Sequence, residues 1–190
     1  MRIRKELKPE DVHVIVDTRE QHPLLLDPMP WERGTLVTGD YSVRGLEHKI
    51  CVERKSLADL TQSLGRERER FDKEMHRILA YPHRCLVIEG TMQDIIEQRY
   101  LSKISPNSVL SSLMGYASHG IPFVFCGARS QMCDLVKRFL FISAQRIWRS
   151  HFELISLMLQ PVAETTTTEV VGAQHAVPPL DPGKLDSSGV

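Results

Sequence analysis

Glu53, Arg54 and Lys55 end a run of β-branched and small residues that begins at Lys49. On an extended strand successive side chains alternate between faces, so Glu53 and Lys55 project together while Arg54 points the other way. Taken alone, a carboxylate beside an ammonium reads as an ion pair at a strand end, which contributes little. Two further acids change the weighing. Asp17 closes the run Val12-His13-Val14-Ile15-Val16, and Asp40 follows Gly39 at a turn between strands. Three carboxylates converging at strand ends repel one another unless a cation sits among them. An oxygen-rich site with few protein ligands and retained waters suits Mg²⁺. With a lysine alongside, such a set matches phosphodiester hydrolysis: the metal polarises the phosphate and lowers the pKa of a bound water, and the lysine orients that water or stabilises developing charge.

The elements that would position these residues follow from the pattern. Val12–Asp17, Lys49–Lys55 and Cys85–Gly90 read as strands; Thr35–Thr38 and Tyr41–Val43 read as two short strands meandering around Gly39-Asp40. Ser56, with Asp59 three residues on, resembles a capping box with Asp in place of the usual Glu or Gln, and Leu57, Leu60 and Leu64 then fall at helical spacing. Residues 65 to 80 continue as a second helix, with Phe71, Met75, Ile78 and Leu79 on its apolar face. Short helices are expected over Thr91–Gln98 and Pro106–His119, and a last strand over Gly120–Cys126, where Pro122 places its start near a sheet edge. From Ser130 to about Leu159 the pattern predicts one long amphipathic helix or a broken pair. Strands first and strand-helix alternation after them predict an α/β fold with a central mixed β-sheet flanked by helices.

With these residues in order, the chain resembles XPF-type structure-specific endonucleases. Gly39-Asp40, followed after twelve residues beginning with Tyr41 by Glu53-Arg54-Lys55-Ser56-Leu57-Ala58-Asp59, is similar to that family's G-D-Y and E-R-K-x-x-x-D signature. Val16-Asp17-Thr18-Arg19-Glu20 is similar to its V-D-x-R-E strand, and Ser63-Leu64 with Arg66 through Phe71 to its second helix. The resemblance covers residues 12 to 90 well and extends more loosely to about 140. It implies a restriction-endonuclease-like three-layer sandwich that cuts DNA with Mg²⁺, or Mn²⁺ as a substitute. It implies metal ligation by Asp40, Glu53 and Asp17 and a catalytic Lys55, with Arg19, Glu20, Arg54 and Asp59 in supporting places. Arg19 would contact a phosphate; Arg54 would pair with an acid beneath the site or contact DNA. Asp59 is explained equally by the cap. Arg66 and Arg70 would bind DNA, against the alternative of a solvated helix laced by pairs such as Glu69 with Lys73 and Arg70 with Glu74; Arg68 fits the solvated face.

The implied function is metal-dependent endonuclease action on branched, flap or fork DNA, in repair, recombination or a mobile element. The alternative is a non-catalytic DNA-binding or scaffold subunit of the same fold, which substitution of Asp40, Glu53 or Lys55 would have favoured. The helix-hairpin-helix module that grips duplex DNA in many relatives has no counterpart after residue 141. The helix from about 130 to 159 carries more apolar residues than one buried stripe requires, which predicts a homodimer or heterodimer through the C-terminal helices.

The chain has 190 residues with 24 basic and 24 acidic side chains and 42% hydrophobic residues. That excludes disorder throughout and a polybasic protein that coats nucleic acid by bulk charge. Residues 1–160 carry 23 basic against 20 acidic groups, whereas residues 161–190 carry one lysine against four acids. Residues 1–160 are therefore expected to form the nuclease domain and the Pro/Thr/Ser-rich 161–190 a flexible tail. The four cysteines form no C-x-x-C pair and read as core residues; the eight histidines show no ligand spacing. Without an apolar leader or spanning segment the expected location is intracellular with no membrane partner: cytoplasm in a prokaryote or virus, nucleus in a eukaryote.

Overall fold

The structure, a computed structural model, describes residues 6–158; the tail expected at 161–190 lies outside the described residues. Six strands form one sheet: β1 (Val14–Asp17), β2 (Trp31–Gly34), β3 (Tyr41–Val43), β4 (Ile50–Ser56), β5 (His83–Glu89) and β6 (Phe123–Cys126), in the spatial order β2-β1-β3-β4-β5-β6. β3 runs antiparallel to both β1 and β4, while the β1–β2, β4–β5 and β5–β6 pairs are parallel. The sheet is thus mixed, as expected, and Pro122 does precede an edge strand.

Each sheet face carries its own core, as strand alternation requires. Val14, Val16, Tyr41, Val43, Ile50, Val52, Cys85 and Val87 pack against a single helix, α5 (Arg129–Met158), through its Met132, Val136, Leu140 and Ala144. Cys51, Leu86 and Ile88 face the other way, onto α1 (Leu57–Leu64), α2 (Arg68–Ile78), α3 (Met92–Ile96) and α4 (Pro106–Ser118), which supply Leu60, Phe71, Met75, Ile95, Val109 and Leu113. The result is three layers. All four cysteines are free thiols inside these cores, and α5 is one unbroken helix of 30 residues.

One strand differs from the sequence reading. Thr35–Thr38 is not a strand, and no meander forms; the edge strand is Trp31–Gly34, parallel to β1. The reason lies in hydrogen bonding. The Leu36 N–H donates to the Asp17 carboxylate at 2.8 Å, and the Leu36 carbonyl accepts from the Arg19 guanidinium at 3.0 Å. An N–H spent on a side chain is lost to a ladder. The second helix likewise begins at Arg68 rather than at residue 65, because the residues before it form the turn that follows α1.

Candidate active site

The chemistry-bearing residues gather where β1 and β4 end and β3 begins. Gly39 makes this possible. Its φ of +81° is strained for a residue with a side chain, and a Cβ there would stand 2.5 Å from Cys51 Sγ. The chain therefore turns tightly enough for the Asp40 N–H to donate to the Val52 carbonyl and for the Asp17 N–H to donate to the Asp40 carbonyl, each at 2.8 Å. Asp40 Oδ2 then accepts the Arg54 N–H at 2.7 Å. Asp40 is thus bound to the strand that carries Glu53 and Lys55.

Alternation along β4 separates the charged run as the sequence predicts. Glu53 and Lys55 lie on the α1/α2 side: Lys55 Nζ is 2.6 Å from Glu53 Oε1, 3.6 Å from Glu74 Oε2 on α2, and 5.3 Å from the centroid of the Phe71 ring. Arg54 points to the opposite face, where its guanidinium meets Glu89 at 2.6 Å and Glu20 at 3.5 Å. Glu20 is fixed from its other oxygen by the His22 N–H at 2.7 Å. Arg54 therefore pairs with acids beneath the site, the first of its two expected roles.

These groups line one cleft of about 300 Å³, walled by Arg19, Glu20, Asp40, Glu53, Arg54 and Lys55, with Asp59, Gln62, Glu67 and Arg70 at its rim. Ser56 caps α1, its Oγ accepting the Asp59 N–H at 3.1 Å and donating to the Asp59 carboxylate at 2.6 Å; the Asp59 side chain does not return a bond to the Ser56 N–H as a capping box requires, and it lines the cleft. Asp17 does not line the cleft. It is fully buried, and its carboxylate accepts from the Arg19 N–H (2.9 Å), the Arg19 Nε–H (2.5 Å) and the Leu36 N–H (2.8 Å). Glu20, three residues on, supplies the cleft acid from that strand's end instead. Arg70 pairs with Glu67, not Glu74, because Glu74 is taken up by Lys55; the expected Glu69–Lys73 pair does form, at 2.7 Å. Arg68 pairs with Asp72 at 3.3 Å and bonds Ser112 at 2.7 Å, and Arg66 lies outside the cleft, on a neighbouring groove. Glu89 was not singled out from the sequence, and Glu74 was read only as a helix partner of Arg70, not as a residue of the site. Glu74 had a signal, falling three residues after Phe71 at the margin of a buried helical stripe.

The electrostatics are those of acids held together without enough countercharge. Burial, and then the Asp40 carboxylate, push Glu53 up to about 8 against the pull of Lys55. Burial raises Asp40 to about 6, resisted by the Arg54 N–H and Lys55 and assisted by Glu20 and Glu74. Burial disfavours the Lys55 ammonium, but Glu53, Glu74 and Asp40 outweigh that and hold its pKa above the ordinary lysine value. Burial acts to raise Asp17 too, yet its hydrogen bonds from Arg19 and Leu36 win and keep it below the usual carboxylate range. Asp17 is thus a satisfied anion, whereas burial and mutual repulsion disfavour the charged forms of Asp40 and Glu53.

That donor set fits a hard divalent cation. Two adjacent carboxylates bordering an open cleft leave positions for waters and a phosphate, the coordination Mg²⁺ prefers. Among the described residues no group of three or more His, Cys, Asp or Glu side chains is arranged to hold a metal ion, so the site offers two carboxylates rather than a closed cage.

Comparison with known proteins agrees with this geometry. The chain matches solved structures of XPF from Aeropyrum pernix, with a TM-score of 0.58 and 20% identity over 77% of this chain and 72% of that one. It matches the same protein in complex with DNA, with a TM-score of 0.58 and 21% identity over 71% of this chain and 66% of that one. No curated protein matches. The profile of the ERCC4 domain matches residues 16–139, a span that runs from β1 into α5 and contains every residue of the cleft. The fold is therefore that of the XPF nuclease domain, and the chain belongs to the ERCC4 domain family.

Proposed function

We propose that the chain is a divalent-metal-dependent DNA endonuclease that hydrolyses phosphodiester bonds, acting on branched, flap or fork DNA. One observation carries this reading: Asp40, Glu53 and Lys55 converge on a single polar cleft in which both carboxylates are destabilised and the lysine is kept charged. Membership of the ERCC4 domain family and likeness in fold to a protein solved in complex with DNA support nucleic acid as the substrate.

Asp40 and Glu53 would hold the cation, Mg²⁺ or Mn²⁺. When bound, the cation polarises the phosphate and lowers the pKa of a water. The protein's own residues do the rest. Lys55, pinned between Glu53 and Glu74, presents a fixed positive charge to the oxygens on which negative charge develops. Arg54 fixes Glu20 at the cleft wall through the Glu89–Arg54–Glu20 chain. Arg19, held at Nε by Asp17 and at Nη2 by the Leu36 carbonyl, lines the cleft, where its remaining N–H groups can bind a phosphate oxygen. Asp17 serves as the anchor of Arg19, so its part is support and not ligation.

The active form is a dimer through α5. Leu135 and Ile142, seven residues apart on that helix, are exposed, and so are Leu154, Ile155 and Leu157 toward its end. Repeated apolar exposure along one helix marks a surface that a partner covers. No described helix is long and apolar enough to cross a membrane.

Incubation of labelled fork, flap and plain duplex DNA with the protein, in Mg²⁺ or in chelator, tests the assignment. Metal-dependent cleavage is expected, strongest on the branched substrates. Binding without cleavage in any divalent metal would establish the scaffold alternative instead.

A further inference from the structure

Beside the cleft, and sharing Gln62 with it, lies a larger groove of about 1020 Å³. One wall is the end of α1 and the turn after it, with Thr61, Gln62 and Arg66; the other is the loop before α4, with Ser102 and Lys103. Arg66 and Lys103 are exposed, and neither side chain makes an ion pair or hydrogen bond among the described residues. The neighbouring cation, Arg68, is by contrast neutralised by Asp72 and tied to Ser112. Every Asp and Glu that the cleft gathers is absent from this groove, whose lining contains no acid at all.

The far wall is built, not loose. The Ser102 hydroxyl donates to the Thr61 carbonyl at 3.4 Å, clasping the loop to α1. The Tyr100 hydroxyl donates to the Ile104 carbonyl at 3.0 Å, closing the loop on itself around Lys103. Lys103 is thereby offered opposite Arg66 from a fixed backbone. An unneutralised cation costs little on the surface but gains when an anion arrives, and two of them across a groove suit a chain of phosphates.

We propose that this groove carries the DNA strand beyond the scissile phosphate, with Arg66 and Lys103 each engaging a backbone phosphate from opposite walls. The inference rests on the nuclease reading of the adjoining cleft and extends it by assigning the strand's path and Lys103's part in it. Phosphate contacts of this kind position the substrate without reading its sequence.

The test is fluorescence anisotropy of labelled fork DNA in chelator across a salt series, for the wild type, Arg66→Ala, Lys103→Ala, the double variant and Arg77→Ala, an exposed arginine of α2 outside both pockets. Each single groove variant is expected to reduce the slope of log K against log salt by about 1, and the double variant by about 2. Arg77→Ala should leave affinity and slope at the wild-type values. Unchanged melting temperatures show that the alanine variants fold. If the double variant matches the wild type in affinity and slope, the groove assignment is overturned, whatever the enzyme cleaves. If the wild type binds but never cleaves while the double variant loses binding, the groove stands and the nuclease reading falls.

Discussion

Lys55 Nζ lies 2.6 Å from Glu53 Oε1, two positions back on the same strand, with a second acid, Glu74, 3.6 Å away on α2. The ammonium therefore has two carboxylate partners. Were Glu53 to hold a cation, Glu74 would still keep Lys55 in place. Glu74→Gln is expected to leave metal affinity near that of the wild type and to lower kcat by about 10- to 100-fold, the usual cost of losing an outer partner that orients a functional group. Single-turnover cleavage together with Mn²⁺ titration separates the two effects. A Glu74→Gln enzyme with undiminished kcat would remove Glu74 from the site.

Glu53 gives a pH-dependent stability with a definite sign. In the folded protein it keeps its proton up to about 8, whereas the unfolded chain loses it near 4.5. Between those values the folded state binds more protons, so stability falls as pH rises. Asp40 acts in the same direction between 3.8 and about 6. Glu53→Gln should accordingly raise the metal-free Tm at pH 8.5, by about 2–4 °C for each kcal/mol of repulsion relieved. Added Mg²⁺ should raise the Tm of the wild type and not that of the variant. A variant that melts below the wild type at pH 8.5 without metal would contradict the account of mutually repelling acids.

Gly39 holds the turn that delivers Asp40. Gly39→Ala places a Cβ at a φ of +81° and 2.5 Å from Cys51 Sγ. The expected outcome is a loss of about 1–3 kcal/mol from the backbone strain, with more from the contact. Chemical denaturation measures it. Unaltered stability would mean that the turn relaxes without cost.

The α5 surface predicts assembly. Light scattering should give the mass of two chains for the wild type, and Leu135→Asp with Ile142→Asp should give one, because both residues are exposed on the same helix. A monomeric wild type would overturn the dimer.

Much of this was legible in the sequence because strand periodicity is short-range. Alternation alone separated Arg54 from Glu53 and Lys55, and the ion pairs to Glu89 and Glu74 follow that division. The core cysteines, the cap at Ser56 and the edge position of β6 were readable for the same reason. What was not readable depended on contacts across long separations. Asp17 was grouped with the ligands from its place at a strand end, but Leu36, 19 residues away, supplies a donor that helps saturate it. The same bond kept Thr35–Thr38 out of the sheet. Glu74 was read as a partner of Arg70 within its own helix, since only the packing of α2 over β4 brings it to Lys55.

The central claim is that Asp40, Glu53 and Lys55 form one metal-dependent hydrolytic site. The most direct measurement is cleavage of labelled fork DNA in Mg²⁺ by the wild type, Asp40→Asn and Lys55→Ala, with melting curves to show that all three fold. The account predicts cleavage by the wild type that chelator abolishes, and none above background by either variant. Cleavage at the wild-type rate by both variants would contradict it.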